Sequence, residues 1–222
     1  MNKPVDKDEW YMTPQTINAY YNPTTNEICF PAAILQPPFF DPEADDAVNY
    51  GGIGGVIGHE MSHGFDDQGS QFDKTGNQRN WWTDADKKNY EERTAVLRDY
   101  FSNFEALPGQ KINGQQTLGE NIGDNGGLNI SFRAFQNATK DSPLPTIDGF
   151  TPEQRFFLSW ARVWATNARP EIMAYLLTVD THSPNMARVN GPLPHIDAWY
   201  DAFGIKEGDK LFVPKDQRAH IW

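Results

Sequence analysis

The sequence predicts a mainly helical α+β fold with a small β-sheet or hairpin. Segments such as Thr83–Phe104 and Thr151–Ala168 open with helix-capping residues and continue with helical composition. Two short β-prone runs flank the turn-forming pentapeptide Asn22–Asn26, as the strands of a hairpin do. No repeat or low-complexity stretch divides the 222 residues, which are enough for one substantial core. We therefore interpret residues 1–222 as a single domain.

The individual elements follow from local signals taken in chain order. Ile17–Tyr21 and Glu27–Phe30 are the predicted hairpin strands, and the prolines that follow predict an irregular connection. Pro108–Gly114 is predicted to be a loop with a small hairpin around Asn113-Gly114. The predicted helices run over Asp46–Phe65, Thr83–Phe104, Leu118–Ala138, Thr151–Ala168, Pro170–Thr178 and Ile196–Phe203.

Charge and cysteine content exclude several classes of function. The chain has 30 acidic and 19 basic residues, a formal net charge of −11 and no basic stripe. Nucleic-acid binding and contact with anionic membranes are therefore disfavoured. No run of about 18 apolar residues occurs, as a membrane-spanning helix would require. Cys29 is the only cysteine, so no disulfide forms within the chain, and we interpret it as a small buried residue.

The segment His59-Glu60-Met61-Ser62-His63 carries the clearest chemical signal. On a helix its two histidines project from one side with Cβ atoms about 6 Å apart, so both imidazoles can reach one metal ion. Glu60 is displaced by about a third of a turn and can take a proton from a water beside the metal. The segment therefore predicts the zinc site of a metallopeptidase, with one Zn²⁺ per chain.

The residues around this motif indicate a packed helix. At ~100° per residue, Ile53, Ile57, Met61 and Phe65 form one apolar arc of roughly 120°. An exposed helix would not need such an arc, so we expect the histidines to flank it as the wall of a cleft. Five glycines between residues 51 and 58 each cost roughly 0.8–1 kcal/mol in a helix, which indicates tight tertiary packing. They match neither G-x-G-x-x-G nor a Walker pattern, so a phosphate-binding loop is rejected.

A catalytic zinc site needs a third protein ligand. Glu120 and Asp124 lie four residues apart on a predicted helix and therefore share a face. One of the two could bind the metal while the other accepts the free N–H of a histidine ligand. The alternative is an ordinary acidic, solvated helix face. Against it, Leu118, Leu128 and Phe132 give this helix a buried side.

Together these motifs resemble the neprilysin and endothelin-converting enzyme family of zinc endopeptidases. The family's order is matched by the His59 motif, by the run from Glu120 to Gly127 and by Asp180-Thr-His-Ser-Pro184. Asn18-Ala19-Tyr20-Tyr21 is similar to the family's substrate-binding strand, and Trp222 to its terminal tryptophan. The resemblance covers nearly the whole chain and implies the C-terminal portion of a thermolysin-like zincin catalytic domain.

The resemblance also implies a role for each matching residue. The zinc ligands would be His59, His63 and Glu120, and the substrate-binding groups would be Asn18, the Ala19 backbone and Arg188. Glu60 would be the general base and His182 the stabiliser of the oxyanion, with Asp124 orienting His59 and Asp180 supporting His182. The implied reaction is hydrolysis of internal bonds in short peptides, on the amino side of bulky hydrophobic residues.

The chain departs from the family pattern in two respects. It ends in Ala219-His220-Ile221-Trp222 where secreted animal members have Cys-x-x-Trp. Together with the single cysteine, this indicates a bacterial member, in the cytoplasm, the cell envelope or the medium. Family members are also considerably longer, so we expect a monomeric C-terminal part of the catalytic domain whose intramolecular partner is the N-terminal remainder of a longer protein.

Two other interpretations remain open. One is a zinc-binding fragment or module without peptidase activity, because its substrate pockets would be incomplete. The other is a different zincin, such as an aminopeptidase. For that class the expected window after His63 offers Asp84 and Asp86 but no suitable glutamate.

Overall fold

In a computed structural model that describes residues 5–222, α-helices carry the fold and the strands are short. The six predicted helices are found, and a further short helix, α7, lies between the last two of them. This confirms the mainly helical α+β class. The helices are α1 (Asp46–Asn49), α2 (Gly55–Ser62), α3 (Asp84–Asn103), α4 (Leu118–Thr139), α5 (Pro152–Val163), α6 (Pro170–Val179), α7 (Asn185–Asn190) and α8 (Asp197–Phe203).

The predicted N-terminal hairpin is present. Strands β1 (Tyr20–Asn22) and β2 (Glu27–Cys29) pair antiparallel, with Tyr20 opposite Cys29. Each strand is shorter than its β-prone run, and Cys29 is only half-buried. The residues before Tyr20 leave the hairpin and run along the wall of the main cleft.

A second hairpin forms, but its turn differs from the prediction. Strands β3 (Glu105–Leu107) and β4 (Gln110–Lys111) are joined through Gly109, which has the left-handed φ of +72° that glycine tolerates. The prediction of a hairpin around Asn113-Gly114 is wrong, because the strands pair around residues 108 and 109. Asn113 instead accepts hydrogen bonds at Oδ1 from the backbone N–H groups of Gln115 and Gln116, just before α4 begins. A short polar side chain is as well suited to that role as to a hairpin turn.

The predicted motif helix is one continuous rod with an internal irregularity. Between α1 and α2 the residues Tyr50–Gly54 form a π-helical turn, and a 3₁₀ turn, His63–Phe65, follows α2. A π turn leaves a backbone carbonyl without its usual partner. Here Ser131 Oγ, from α4, donates a hydrogen bond to the Tyr50 carbonyl over 2.6 Å. The irregularity is therefore stabilised by the helix that crosses it.

Helix α5 begins where predicted and ends earlier. Thr151 and Gln154 form a reciprocal capping box at its start. The prediction that it continues to Ala168 is wrong, because the chain leaves the helix at Trp164. Pro170 opens α6, and the proline ring keeps Arg169 in the extended region (φ −68°, ψ 142°), so the two helices cannot merge.

Helix α4 contributes to both hydrophobic clusters of the core. One cluster, built around Phe132 and the fully buried Trp160, joins α4 to α5 and to the motif helix. The other, which includes Ile122, joins α4 to α3 and to Ile221 near the end of the chain. No helix within residues 5–222 combines the length and apolar character that crossing a bilayer requires.

Only the first residue of the apolar arc of the motif helix faces this core. Ile53 is buried, but Ile57, Met61 and Phe65 have exposed fractions of 39%, 48% and 50%. The buried sides of α2 instead carry Val56, the site residues His59 and Glu60, and the small residues that contact α4. The helix is packed as predicted, but its buried surface is formed by glycines and by His59, while Ile57, Met61 and Phe65 face solvent.

Candidate metal centre

The motif helix crosses α4 at backbone contact distance because both helices present glycines there. A Cβ atom on Gly58 would lie 2.6 Å from the carbonyl oxygen of Gly127, and one on Gly127 would lie 2.5 Å from the backbone nitrogen of His59. Side chains other than glycine's hydrogen do not fit at such distances. The crossing brings His59 against the turn of α4 that carries Glu120 and Asp124.

Three side chains converge at this crossing. Glu120 Oε2 lies 3.2 Å from His59 Nε2 and 3.7 Å from His63 Nε2. One ligand atom from each of the three residues falls within 4.8 Å of the other two. The predicted set of His59, His63 and Glu120 is therefore brought together, and Glu120 rather than Asp124 is the carboxylate that lies beside Nε2 of both histidines.

The outer nitrogen of each histidine contacts a carboxylate. Asp124 Oδ1 lies 2.8 Å from His59 Nδ1, and Asp66 Oδ2 lies 2.7 Å from His63 Nδ1. A carboxylate only accepts hydrogen bonds, so each Nδ1 carries a proton and each Nε2 faces the shared space. Such partners fix the orientation of metal-ligating imidazoles.

Sequence reasoning missed Asp66. It lies three residues after His63, beyond the turn that ends the motif helix, and is buried. Its other oxygen accepts hydrogen bonds from the backbone N–H groups of Gln68 and Gly69, so the carboxylate itself is held rigidly. An acidic residue one turn after the second histidine was the signal available in the sequence.

The residues present fit a divalent cation. Glu120 Oε2 is buried and has no partner with good hydrogen-bond geometry within residues 5–222, although ring nitrogens of His59, His63 and His182 face it. Burial alone would lower the pKa of His59, but the hydrogen bond to Asp124 and the nearby Glu120 carboxylate outweigh burial and raise it to about 9. A proton on Nε2 is thus strongly favoured by the surrounding negative charge, and a bound cation can take its place. Two imidazoles and one carboxylate are a ligand set that zinc prefers.

Glu60 stands beside this centre without joining it. Its exposed fraction is 5%, and burial is the main reason that its carboxyl pKa is raised. The side chain lines a cleft of about 1030 Å³, as do all three converging residues. A buried carboxylate facing an open cleft beside a metal centre is placed to exchange a proton with a water or substrate there.

His182 reaches the same centre from the loop between α6 and α7. Its Nε2 lies 3.3 Å from Glu120 Oε2, and Asp180 Oδ1 lies 2.8 Å from its Nδ1. The same Asp180 oxygen accepts a hydrogen bond from the His182 backbone N–H over 2.9 Å. The imidazole is held by this carboxylate and has an exposed fraction of 43% on the cleft side.

Arg188 is buried against Asp124. Its Nε and one terminal nitrogen donate to the two carboxylate oxygens over 2.9 and 2.7 Å, and its guanidinium lies 3.8 Å from the centre of the Trp164 ring. Burial alone would raise the pKa of Asp124, but this cation and the His59 hydrogen bond lower it. Arg188 also lines the cleft, so it is available to a bound substrate.

The segment before β1 forms another part of the cleft wall. Asn18 and Ala19 both line the cleft. Asn18 Oδ1 accepts a hydrogen bond from the Ala19 backbone N–H over 2.9 Å, and Ala19 is buried. The backbone of this segment lies beyond the β1–β2 pairing, where an added strand could be accommodated.

Comparisons with known proteins agree with this geometry. The profile of Peptidase family M13 matches residues 18–219. Human endothelin-converting enzyme 1 is 42% identical over the whole chain, and neprilysin-3 of Drosophila melanogaster is 38% identical over it. The chain spans 29% and 28% of those two proteins, less than a third of their length.

Solved structures show the same fold. A zinc metalloprotease of Mycobacterium tuberculosis in complex with an inhibitor has a TM-score of 0.96 and 51% identity, covering all of this chain and 35% of that one. PepO from Lactobacillus rhamnosis has a TM-score of 0.88 and 38% identity, covering 98% of this chain and 33% of that one. The chain therefore belongs to peptidase family M13.

Proposed function

We propose that this chain forms the catalytic part of a zinc-dependent endopeptidase. The observation that carries the proposal is the convergence of His59, His63 and Glu120 next to Glu60, in the wall of an open cleft. Membership of peptidase family M13 supports the same activity. Because the chain spans less than a third of its curated relatives, the activity of the whole protein remains part of this proposal.

His59, His63 and Glu120 would hold one zinc ion, with Asp124 and Asp66 orienting the imidazoles. Zinc in such a site acts as a Lewis acid and activates water at neutral pH. The surrounding residues leave the metal accessible from the cleft, as a catalytic rather than a structural site requires.

The protein's own groups would manage the proton transfers and the developing charge. Glu60 takes a proton from the attacking water and later passes it to the leaving amine. His182, oriented by Asp180, would stabilise the negative charge that develops on the oxygen of the scissile carbonyl. Arg188, whose charge is shared with Asp124, binds a backbone carbonyl of the substrate on the primed side.

The cleft favours an extended peptide with a bulky apolar side chain. Asn18 and the Ala19 backbone would pair with the peptide as an added strand. Apolar side chains that line the cleft near Glu60 would receive the residue after the scissile bond, which places cleavage on its amino side. They include Ile34, Phe39, Val56 and Trp164. Apolar walls with a few polar groups are typical of small-ligand sites, so short peptides are the proposed substrates.

One observation favours the alternative of a zinc-binding fragment without activity. Ile57, Met61 and Phe65 form an exposed apolar arc on the helix that carries the metal site. Large apolar patches of this kind usually contact another surface. We propose that further polypeptide of a longer protein covers this arc and completes the cleft, so that the isolated chain binds zinc but cleaves peptides slowly.

The test combines metal content with hydrolysis of an internally quenched peptide that is blocked at both ends. Glu60→Gln should keep one zinc per chain and lower kcat by at least about 100-fold, because the general base is lost. Glu91→Gln, on an exposed surface of α3, is the matched control and should leave both quantities unchanged. Substantial turnover by Glu60→Gln would disprove the proposed role of Glu60.

The same assay separates the competing functions. A chain that binds no zinc would disprove the metal centre itself. A chain that binds zinc but is slow, while the longer protein is fast, would support the fragment alternative. An aminopeptidase would cleave only peptides with a free amino terminus, so a blocked substrate distinguishes it.

A further inference from the structure

The loop between α6 and α7, residues 180–184, is tied to the start of α4 by two hydrogen bonds. Gln116 Nε2 donates to the Asp180 backbone carbonyl over 2.7 Å. Ser183 Oγ donates to Asn121 Oδ1, also over 2.7 Å. These two hydrogen bonds hold the loop on either side of His182, and their partners, Gln116 and Asn121, are within four residues of Glu120 in the chain.

The hydrogen bond from Ser183 to Asn121 continues through a series of further hydrogen bonds, in which each side chain donates to the next. Ser183 donates to Asn121, the Asn121 amide donates to Thr117 Oγ1 over 2.9 Å, and Thr117 donates to the Asn113 carbonyl over 3.2 Å. The exposed fractions of Asn121 and Ser183 are 1% and 2%. With the amide reversed, Thr117 would have to donate to it and could no longer donate to the Asn113 carbonyl, so the observed direction makes one more hydrogen bond.

His182 itself has few other restraints. Its imidazole is 43% exposed, and among residues 5–222 its polar partners are Glu120 and Asp180, the latter a residue of the same loop. The position of the ring relative to Glu120 Oε2, 3.3 Å from its Nε2, therefore depends on where the loop is anchored. A displacement of about 1 Å in such a group can cost about 100-fold in rate.

We propose that Gln116, Asn121 and Ser183 are positioning residues that fix His182 beside the metal centre. The helix that supplies the third metal ligand would thereby also set the place of the group that stabilises the oxyanion. This inference rests on the proposed peptidase function and adds to it residues that act only through His182.

The test compares Ser183→Ala with Ser131→Ala in the full zinc-loaded chain. Ser131 is a matched control because it is 3% exposed and donates over 2.6 Å to a backbone carbonyl, but contacts the motif helix and not the loop. Both variants should lose a similar amount of thermal stability. Only Ser183→Ala should lower kcat, by about tenfold, with KM and the zinc dissociation constant unchanged.

A double-variant experiment tests whether the effect passes through the imidazole. Ser183→Ala should have no further effect on kcat when His182 is already replaced by Phe. Binding of a phosphonamidate peptide, whose tetrahedral phosphorus mimics the charged intermediate, should weaken by the same factor as kcat. Gln116→Ala removes the other tie at a partly exposed position and should show the same pattern, which covers the case that Ser183→Ala does not fold.

Three results would overturn the inference. They are an unchanged kcat in both Ser183→Ala and Gln116→Ala, an equal loss in Ser131→Ala, or an undiminished effect of Ser183→Ala in the His182→Phe background. A different result separates this failure from that of the proposed function. If neither the zinc-loaded wild-type chain nor the longer protein cleaves the peptide or binds the phosphonamidate, the peptidase proposal fails and this inference fails with it.

Discussion

Replacing Gly58 by Ala would test whether the glycine crossing sets the metal centre. The added Cβ atom would lie 2.6 Å from the Gly127 carbonyl oxygen and 2.8 Å from its Cα atom. Both are backbone atoms of α4, so no side chain can rotate to relieve the contact. Ordinary van der Waals separation would require the two helices to move apart by roughly 0.7 Å.

The expected losses differ between stability and metal affinity. Overpacking costs about 1–3 kcal/mol, and the better helix propensity of Ala offsets about 1 kcal/mol of that. The same movement stretches the hydrogen bond between His59 and Asp124, now 2.8 Å, and the approach of His59 to Glu120, now 3.2 Å. Loss of such an orienting contact typically weakens metal affinity 10–100-fold. We therefore expect a zinc dissociation constant at least about tenfold higher, with a free energy of unfolding reduced by at most about 2 kcal/mol.

Chelator competition measures the zinc dissociation constant, and urea unfolding of the metal-free chain measures stability. Gly52→Ala is the matched control, because its Cβ atom would lie 2.5 Å from the carbonyl oxygen of Phe39, on the same rod but away from α4. It should cost similar stability and leave zinc affinity within about threefold, since it does not part the ligand-bearing helices. Equal effects of the two variants on zinc affinity, or wild-type affinity in Gly58→Ala, would refute this account of the crossing.

Three further predictions concern residues around the centre and in the core. Asp66→Asn should weaken zinc affinity about 10–100-fold in chelator competition, because the amide is a poorer partner for His63 Nδ1. Burial lowers the pKa of His195 from 6.5 to about 4, so between these values the unfolded chain binds a proton that the folded chain does not. The His195 contribution to stability in urea unfolding should therefore be constant above pH 6.5 and fall by about 3 kcal/mol by pH 4, a loss that His195→Gln should remove. Arg155→Met should lower the free energy of unfolding by about 3 kcal/mol, because it leaves a carboxylate and two backbone carbonyls without their buried donor.

The convergence of the two histidines at the candidate metal centre could be predicted because their spacing is tied to helix geometry. His59 and His63 are four residues apart, so they lie on the same side of one helix, and the periodicity of the sequence predicts that helix. Glu120 is sixty positions away, so periodicity offered it and Asp124 as equal candidates and only the resemblance chose between them. Their different positions along α4 distinguish the two carboxylates in the structure. Glu120 lies beside Nε2 of the histidines, and Asp124 contacts Nδ1 of His59.

The orientation of the motif helix could not be predicted from its apolar residues. A helical wheel ranks side chains by hydrophobicity, and Ile57 and Met61 made the obvious inner face. The helix instead packs through Gly55, Gly58 and Ser62, which score poorly on such scales but allow backbones to touch. At a close helix crossing the contact is made by backbone atoms rather than by large apolar side chains. A helical wheel scores only side-chain hydrophobicity, so it cannot identify that face.

Local signals succeeded where one residue type has one physical role. Thr83 and Thr151 cap their helices as predicted. Each hydroxyl accepts a hydrogen bond from a backbone N–H in the first turn, which has no partner within the helix. The hairpin prediction at Asn113-Gly114 was wrong because asparagine stabilises helix starts as well as hairpin turns. The hairpin instead turns at Gly109, which has the left-handed conformation that the turn needs.

The arrangement around α4 explains how a distant carboxylate can be positioned as tightly as a neighbouring histidine. The close approach of Gly58 and Gly127 restricts how the two helices can lie against each other, since a Cβ atom on either residue would meet the backbone of the other helix. The side chain of Glu120, in the first turn of α4, therefore inherits a geometry that sequence separation alone would leave free.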